Sequence, residues 1–153
     1  MGAKLSGVNE LLAKLKEIRG TVVSIKPDVV NEMDNVASLA KQKCPVDTTK
    51  LQNAIEVRDR STSDTVIIDM GIFADKSINY AIYVEFGTGI YAENGQGKKE
   101  RWRYPIIVDG DMVECRWTNG NHPQPYIRPA WDEEKENVVD GVKQAIVREL
   151  QHL

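Results

Sequence analysis

The chain has 153 residues, 41% of them hydrophobic and 28% charged, with a formal net charge of −3. These values fit one domain (1–153) whose core needs no disulfide or metal staple. They argue against generic charge-driven binding to nucleic acid. Cys44 and Cys115 fit neither a disulfide framework nor a zinc signature, so both are expected as reduced thiols in a cytoplasmic protein. No stretch reads as a signal peptide or approaches the roughly 18 apolar residues of a membrane span.

Leu5, Val8, Leu11, Leu12, Leu15 and Ile18 recur at helical spacing, which predicts a helix over 5–19 stopped by Gly20. Thr21 to Ile25 is β-branched and suits either an extended link or a helical start. Pro27 then sits well at a first helical position, with Asp28 near the positive end of the dipole. Val29, Met33, Val36, Ala40 and Cys44 form one apolar stripe that Pro45 ends. The helical part of the chain is thus expected over 5–44.

Asp47 and Thr48, after Pro45, are capping or turn residues. Leu51, Ile55 and Val57 mix a short helical turn with the start of a strand, and Thr65 to Ile72 reads as its hairpin partner across a polar loop. In Tyr80-Ala-Ile-Tyr-Val-Glu-Phe-Gly-Thr-Gly89 the apolar residues Tyr80, Ile82, Val84 and Phe86 alternate with Ala81, Tyr83 and Glu85. That predicts a central strand ending at a glycine exit, in an antiparallel meander over 51–118 with a long loop at 87–104. Pro105 to Trp117 reads as a hairpin turning at Asp109-Gly110. The last helix is expected over 129–150, with acidic residues in its first turns and Arg148 near its end. Mid-helix Gly141 marks close packing or tolerance.

Chemistry is hard to assemble from these residues. His122 and His152 lie in a loop and beside the last residue, and no local motif supports a Cys–His pair. Asp109-Gly-Asp111 is better explained as a turn than as a cation site. Neither a phosphate-binding glycine loop nor a histidine-rich cluster is present. No catalytic, metal-binding or cofactor-binding residue is assigned, and the chain is expected not to be an enzyme. Glu85 is expected as an exposed or interface carboxylate, with a buried acid of raised pKa as the alternative. Lys98 to Tyr104 alternates four cations with Trp102 and Tyr104, a composition that suits a protein-interface loop or, as the alternative, stacking on nucleic acid.

Three stretches carry a family resemblance. Ala40-Lys-Gln-Lys-Cys-Pro-Val-Asp-Thr-Thr-Lys-Leu51, running on to Asn53-Ala-Ile55, resembles a "Pro-x-Asp-Thr-Gly-x-Leu … Ser-Ile" block. Tyr80 to Gly89 is similar to a "Tyr-Ala-x-x-Val-Glu-x-Gly-Thr" stretch, and Gln124-Pro-Tyr-Ile-Arg-Pro-Ala130 to a "Gln-Pro-Phe-hydrophobic-Arg-Pro-Ala" helix entry. All three belong to a bacteriophage tail-component family of the neck or tail-completion type, found in long-tailed phages and prophages. Pro45, Asp47, Thr48, Leu51, Pro125 and Pro129 carry its structural motifs. Thr49 departs from the usual glycine, and the loop after Tyr91 is longer than the family's minimum. The resemblance implies an α+β fold, an antiparallel sheet packed against a long N-terminal helical segment and a C-terminal helix, and a structural virion role at the head–tail junction, as a ring of copies touching connector and tail proteins. No membrane partner is expected, and specific nucleic-acid binding through 98–104 stands only as the alternative. Tyr83, Glu85, Gly87, Thr88, Trp102, Arg103 and Arg128 are the interface residues expected on that reading.

Overall fold

The computed structural model describes residues 8–45, 49–73, 80–108 and 111–151. The elements are α1 (Val8–Ser24), α2 (Lys26–Lys43), α3 (Thr49–Asn53), β1 (Glu56–Asp59), β2 (Ile68–Gly71), α4 (Ala81–Phe86), β3 (Trp102–Val108), β4 (Asp111–Thr118) and α5 (Ile127–Leu150). A single 3-10 turn, Gly89–Tyr91, follows α4. The class is α+β, as the resemblance implies. The expected single sheet is replaced, among the described residues, by two separate antiparallel ladders, β1–β2 and β3–β4.

Gly20 does not stop the first helix. A glycine costs about 1 kcal/mol in a helix interior, which neighbouring turns can carry, and α1 continues to Ser24. The interruption falls at Ile25, because Pro27 lacks the N–H that would bond the carbonyl four residues earlier. Helix α2 then restarts with Asp28 and Val29 N–H both donating to the Ile25 carbonyl, at 3.0 and 3.1 Å. Its end at Lys43, before Pro45, is as the sequence predicts. Leu5, Asp47, Thr48 and the Asp109-Gly110 turn lie outside the described residues.

The described residues divide into two compact units, with α2 and α5 each contributing to both. One comprises α1, α2 to Leu39, β1–β2 and α5 from Trp131. It buries Ile25, Val36, Ala37, Val138 and Ala145. In this unit the start of α2 meets the end of α5. The Arg148 guanidinium donates to both Asp28 oxygens at 2.8 and 3.2 Å, and Ser24 Oγ donates to Glu149 Oε2 at 2.7 Å. The Arg148 hydrogen bonds hold the Asp28 carboxyl below its ordinary pKa. Gly141 marks close approach: a Cβ there would sit 2.4 Å from Glu32 Oε1.

The second unit holds Ala40 to Ile55 and Ile72 to Ala130. Ala40, Cys44, Leu51, Ala54, Ile55, Tyr126 and Ala130 are its buried apolar residues, Tyr126 wholly so. Burial raises the Cys44 thiol pKa, which fits an inert core thiol. Gln52 Nε2 donates to the Lys41 carbonyl at 2.8 Å, tying α3 to the last turns of α2.

The largest departure from the sequence reading lies at Tyr80 to Phe86, where a helix replaces the expected strand. Ile82, Tyr83 and Phe86 are exposed, while Ala81 and Val84 are half-buried and Glu85 is buried. The inward face therefore follows helical spacing and is carried by small or charged residues. The alternation of large apolar residues reports the outward side instead.

Candidate functional site

Glu85 is only 4% exposed, and the first turn of α5 supplies its partners. Its Oε2 accepts the backbone N–H of Tyr126 at 2.8 Å and of Ile127 at 3.1 Å. Its Oε1 accepts the Arg128 N–H at 3.2 Å and the Arg128 Nε–H at 2.9 Å. The first N–H groups of a helix lack partners within it and carry its positive dipole end, so a carboxylate there is doubly favoured. The sequence signals this need without naming the acceptor: Pro125 and Pro129 bracket a helix start that has no Ser, Thr, Asp or Asn immediately before it. Glu85 fills that place from 41 residues upstream.

Burial raises the Glu85 carboxyl pKa, but the Tyr126 N–H, the Arg128 guanidinium and the N–H groups of Ile127 and Arg128 outweigh it and leave the pKa lowered. This corrects the expectation of an exposed strand carboxylate; the alternative, a buried acid, holds for the burial but not for a raised pKa. Arg128 extends the node. Its two terminal nitrogens donate to the Glu93 carboxylate at 2.8 and 2.9 Å, one also donates to the Glu85 carbonyl at 3.1 Å, and its guanidinium lies 4.6 Å from the Phe86 ring centre. Hydrogen bonds from Arg128 lower the Glu93 pKa, and those to Glu93 and Glu85 raise that of Arg128. A carboxylate committed to four donors is a joint between α4 and α5 rather than a proton carrier.

The glycine exit makes a second joint. Thr88 N–H donates to the Asn121 carbonyl at 2.9 Å, and Ile90 N–H to the Asn119 carbonyl at 3.0 Å. Asn121 N–H returns to Thr88 Oγ1 at 2.9 Å. The backbones approach so closely that a Cβ on Gly89 would lie 1.9 Å from the Asn119 oxygen, and one on Gly120 2.0 Å from the Thr88 oxygen. Gly97 faces Gly89 in the same way, at 2.0 Å. Glu93, Tyr126, Gly97 and Gly120 belong to this construction, although sequence reasoning gave them no role. The partners of Glu93, Gly120 and Tyr126 lie more than thirty residues away, and that of Gly97 lies across the loop, so no local pattern reveals them.

Beside these joints lies an apolar groove of about 750 Å³, lined by Ile82, Tyr83, Phe86, Ala92, Lys98 and Trp102 among others. The expected interface residues thus part company. Tyr83, Gly87, Thr88 and Trp102 come together along the groove, whereas Glu85 and Arg128 are engaged in the joint. Arg103 lies apart on the hairpin, 6.0 Å from the Trp117 ring centre, with Arg101 at 4.7 Å. Lys98 lies 5.7 Å from the Trp102 ring centre, and Lys99 Nζ donates to the Gly95 carbonyl at 2.7 Å. The cations of the basic-aromatic segment therefore rest on the protein's own rings and backbone. Among the described residues no cluster of three or more His, Cys, Asp or Glu is arranged for a metal, and no helix is long and apolar enough to cross a membrane.

The second unit thus sets a buried polar node, which ties α4 to the start of α5, beside an exposed apolar groove. The chain belongs to the HK97-gp10-like family of bacteriophage tail components, whose sequence profile matches residues 9–87, just over half its length. The match takes in the Pro45 block and α4 through Gly87, and stops before the Gln124 to Ala130 helix entry. No curated protein and no solved structure matches the chain significantly.

Proposed function

We propose that this tail component is a non-enzymatic virion protein that completes the tail or joins it to the head, acting as a ring of copies. It would assemble in the host bacterial cytoplasm and remain at the neck or tail, touching connector and tail proteins. The observation that carries the reading is the large apolar surface the second unit leaves in water. Ile82 and Tyr83 on α4, Ile90 after it, and Ile107, Val108, Met112, Val113 and Trp117 on the hairpin are all exposed. Such patches on soluble proteins mark interaction surfaces. The nucleic-acid alternative draws less support, because Arg101 and Arg103 lie close to the Trp117 ring rather than presenting a bare stacking platform.

Deletion of the gene from its phage tests the role. Electron microscopy of the lysate is expected to show heads and tails that are unjoined or incompletely finished, with infectivity restored by the gene in trans. Tailed, infectious particles formed without the chain would sink the proposal.

A further inference from the structure

The turn end of the β3–β4 hairpin carries large apolar residues that no described residue of the chain covers. In its register Arg103 pairs with Trp117, Pro105 with Cys115 and Ile107 with Met112, with an irregularity after Ile106. Side chains alternate along β3, the extra residue at the irregularity lies in β4, and paired residues share a side, so these pairs lie on one side. Ile107 and Met112 are 61% and 67% exposed, and among the described residues of the two strands none is buried. A lone two-stranded hairpin is marginal in water, and covering such a face stabilises it. Glu114 is paired with Arg116, so Asp111 carries the charge at the far end of the ladder.

The groove on α4 has the opposite form. It is concave and apolar, with Tyr83, Phe86 and Trp102 on its walls, and Lys98 is the one charged residue among the described residues that line it. We infer that the hairpin end of one copy seats in this groove on the next copy, with Ile107 and Met112 against the aromatic walls and Asp111 toward Lys98. The inference rests on the assembly role proposed above and names the contact that would build it. The occupant is a neighbour's hairpin because the chain's own cannot reach. Trp102 is both a groove wall and the first residue of β3, and Ile107 lies five residues further, roughly 17 Å along an extended strand. Each copy therefore offers one end and one groove as different patches. Such a contact is heterologous and propagates until rotation closes it into a ring.

Three purified proteins test this: the wild type, an end variant (Ile107→Asp with Met112→Asp) and a groove variant (Ile82→Asp with Tyr83→Asp). All four substituted residues are exposed, and circular dichroism melts check that each variant folds. In sedimentation the wild type is expected to pass beyond a dimer. Each variant alone should associate at least ~10-fold more weakly, as for loss of a central interface anchor. Mixing the two variants should restore one-to-one dimers, since one intact end then meets one intact groove. A wild type that stays monomeric at about millimolar concentration, an end variant that associates like wild type, or a mixture without dimers overturns the contact. Complementation of the deletion phage separates the two ideas. Wild-type rescue alongside a failed mixing result removes this contact and leaves the virion role, whereas normal particles without the chain remove the virion role whatever the mixing shows.

Discussion

Replacing Glu85 by alanine is expected to cost about 3 kcal/mol of folding stability, read from urea unfolding followed by tryptophan fluorescence. The carboxylate is buried and satisfies three backbone N–H groups and the Arg128 side chain. Removing one partner of a buried pair commonly costs about 3–5 kcal/mol, since the other groups stay desolvated and unpaired. The estimate sits at the low end because Arg128 keeps Glu93 and is partly exposed. Glu85→Gln retains the shape but offers one acceptor oxygen in place of two, and its amide N–H₂ would face donors. It should lose more than half as much. Acid supplies a second readout. The folded-state pKa of Glu85 lies below its ordinary 4.5. Its charge therefore stabilises the fold fully above the unfolded pKa, and that contribution disappears as pH falls through the lower, folded value. The gap between wild type and Glu85→Gln should be widest near neutral pH and close on acidification through the carboxylate range. A gap that stays constant with pH would show that the charge is not what holds α4 to α5.

Gly89→Ala is expected to be more damaging still, by about 4 kcal/mol or more. Gly89 has φ near 61°, a conformation that costs an L residue roughly 1–2 kcal/mol by itself. The added methyl would also stand 1.9 Å from a backbone oxygen. Relief would require separating the Thr88–Ile90 and Asn119–Asn121 backbones, which breaks the hydrogen bonds joining them. Gly95→Ala is the matched control. Its φ of 68° is similar, but a Cβ there meets nothing within 4 Å, so only the conformational cost of about 1 kcal/mol should appear. At about 2–4 °C per kcal/mol for a chain of this size, thermal unfolding should separate the two variants clearly. Equal losses would mean that the close approach of the two loops adds nothing.

These two residues show where the sequence was legible and where it was not. Helix α2 is bounded by Pro27 and Pro45, and the pairings β1–β2 and β3–β4 are local hairpins. Composition and spacing reveal such elements because their causes lie within a few residues. Helix α4 has no such local cause. Its inward face is Ala81, Val84 and Glu85, and its anchor is the helix start at Tyr126 to Arg128. Read locally, six residues of alternating size resemble a strand. The glycine exit was visible as a special turn, but its reason, a crossing with Asn119 and Gly120, depends on a segment some thirty residues away. Of the residues expected at an interface, Tyr83, Gly87, Thr88 and Trp102 line the groove. Glu85 and Arg128 are engaged in the node that joins α4 to the start of α5.

The most direct test of the assembly account is electron cryomicroscopy of the intact phage, with the chain located in the map by its own fold. The expected result is a closed ring of copies at the neck or the head-proximal end of the tail, with α4 and the β3–β4 hairpin at the contacts between neighbours. Copies found singly, or mature particles that lack the chain altogether, would contradict it.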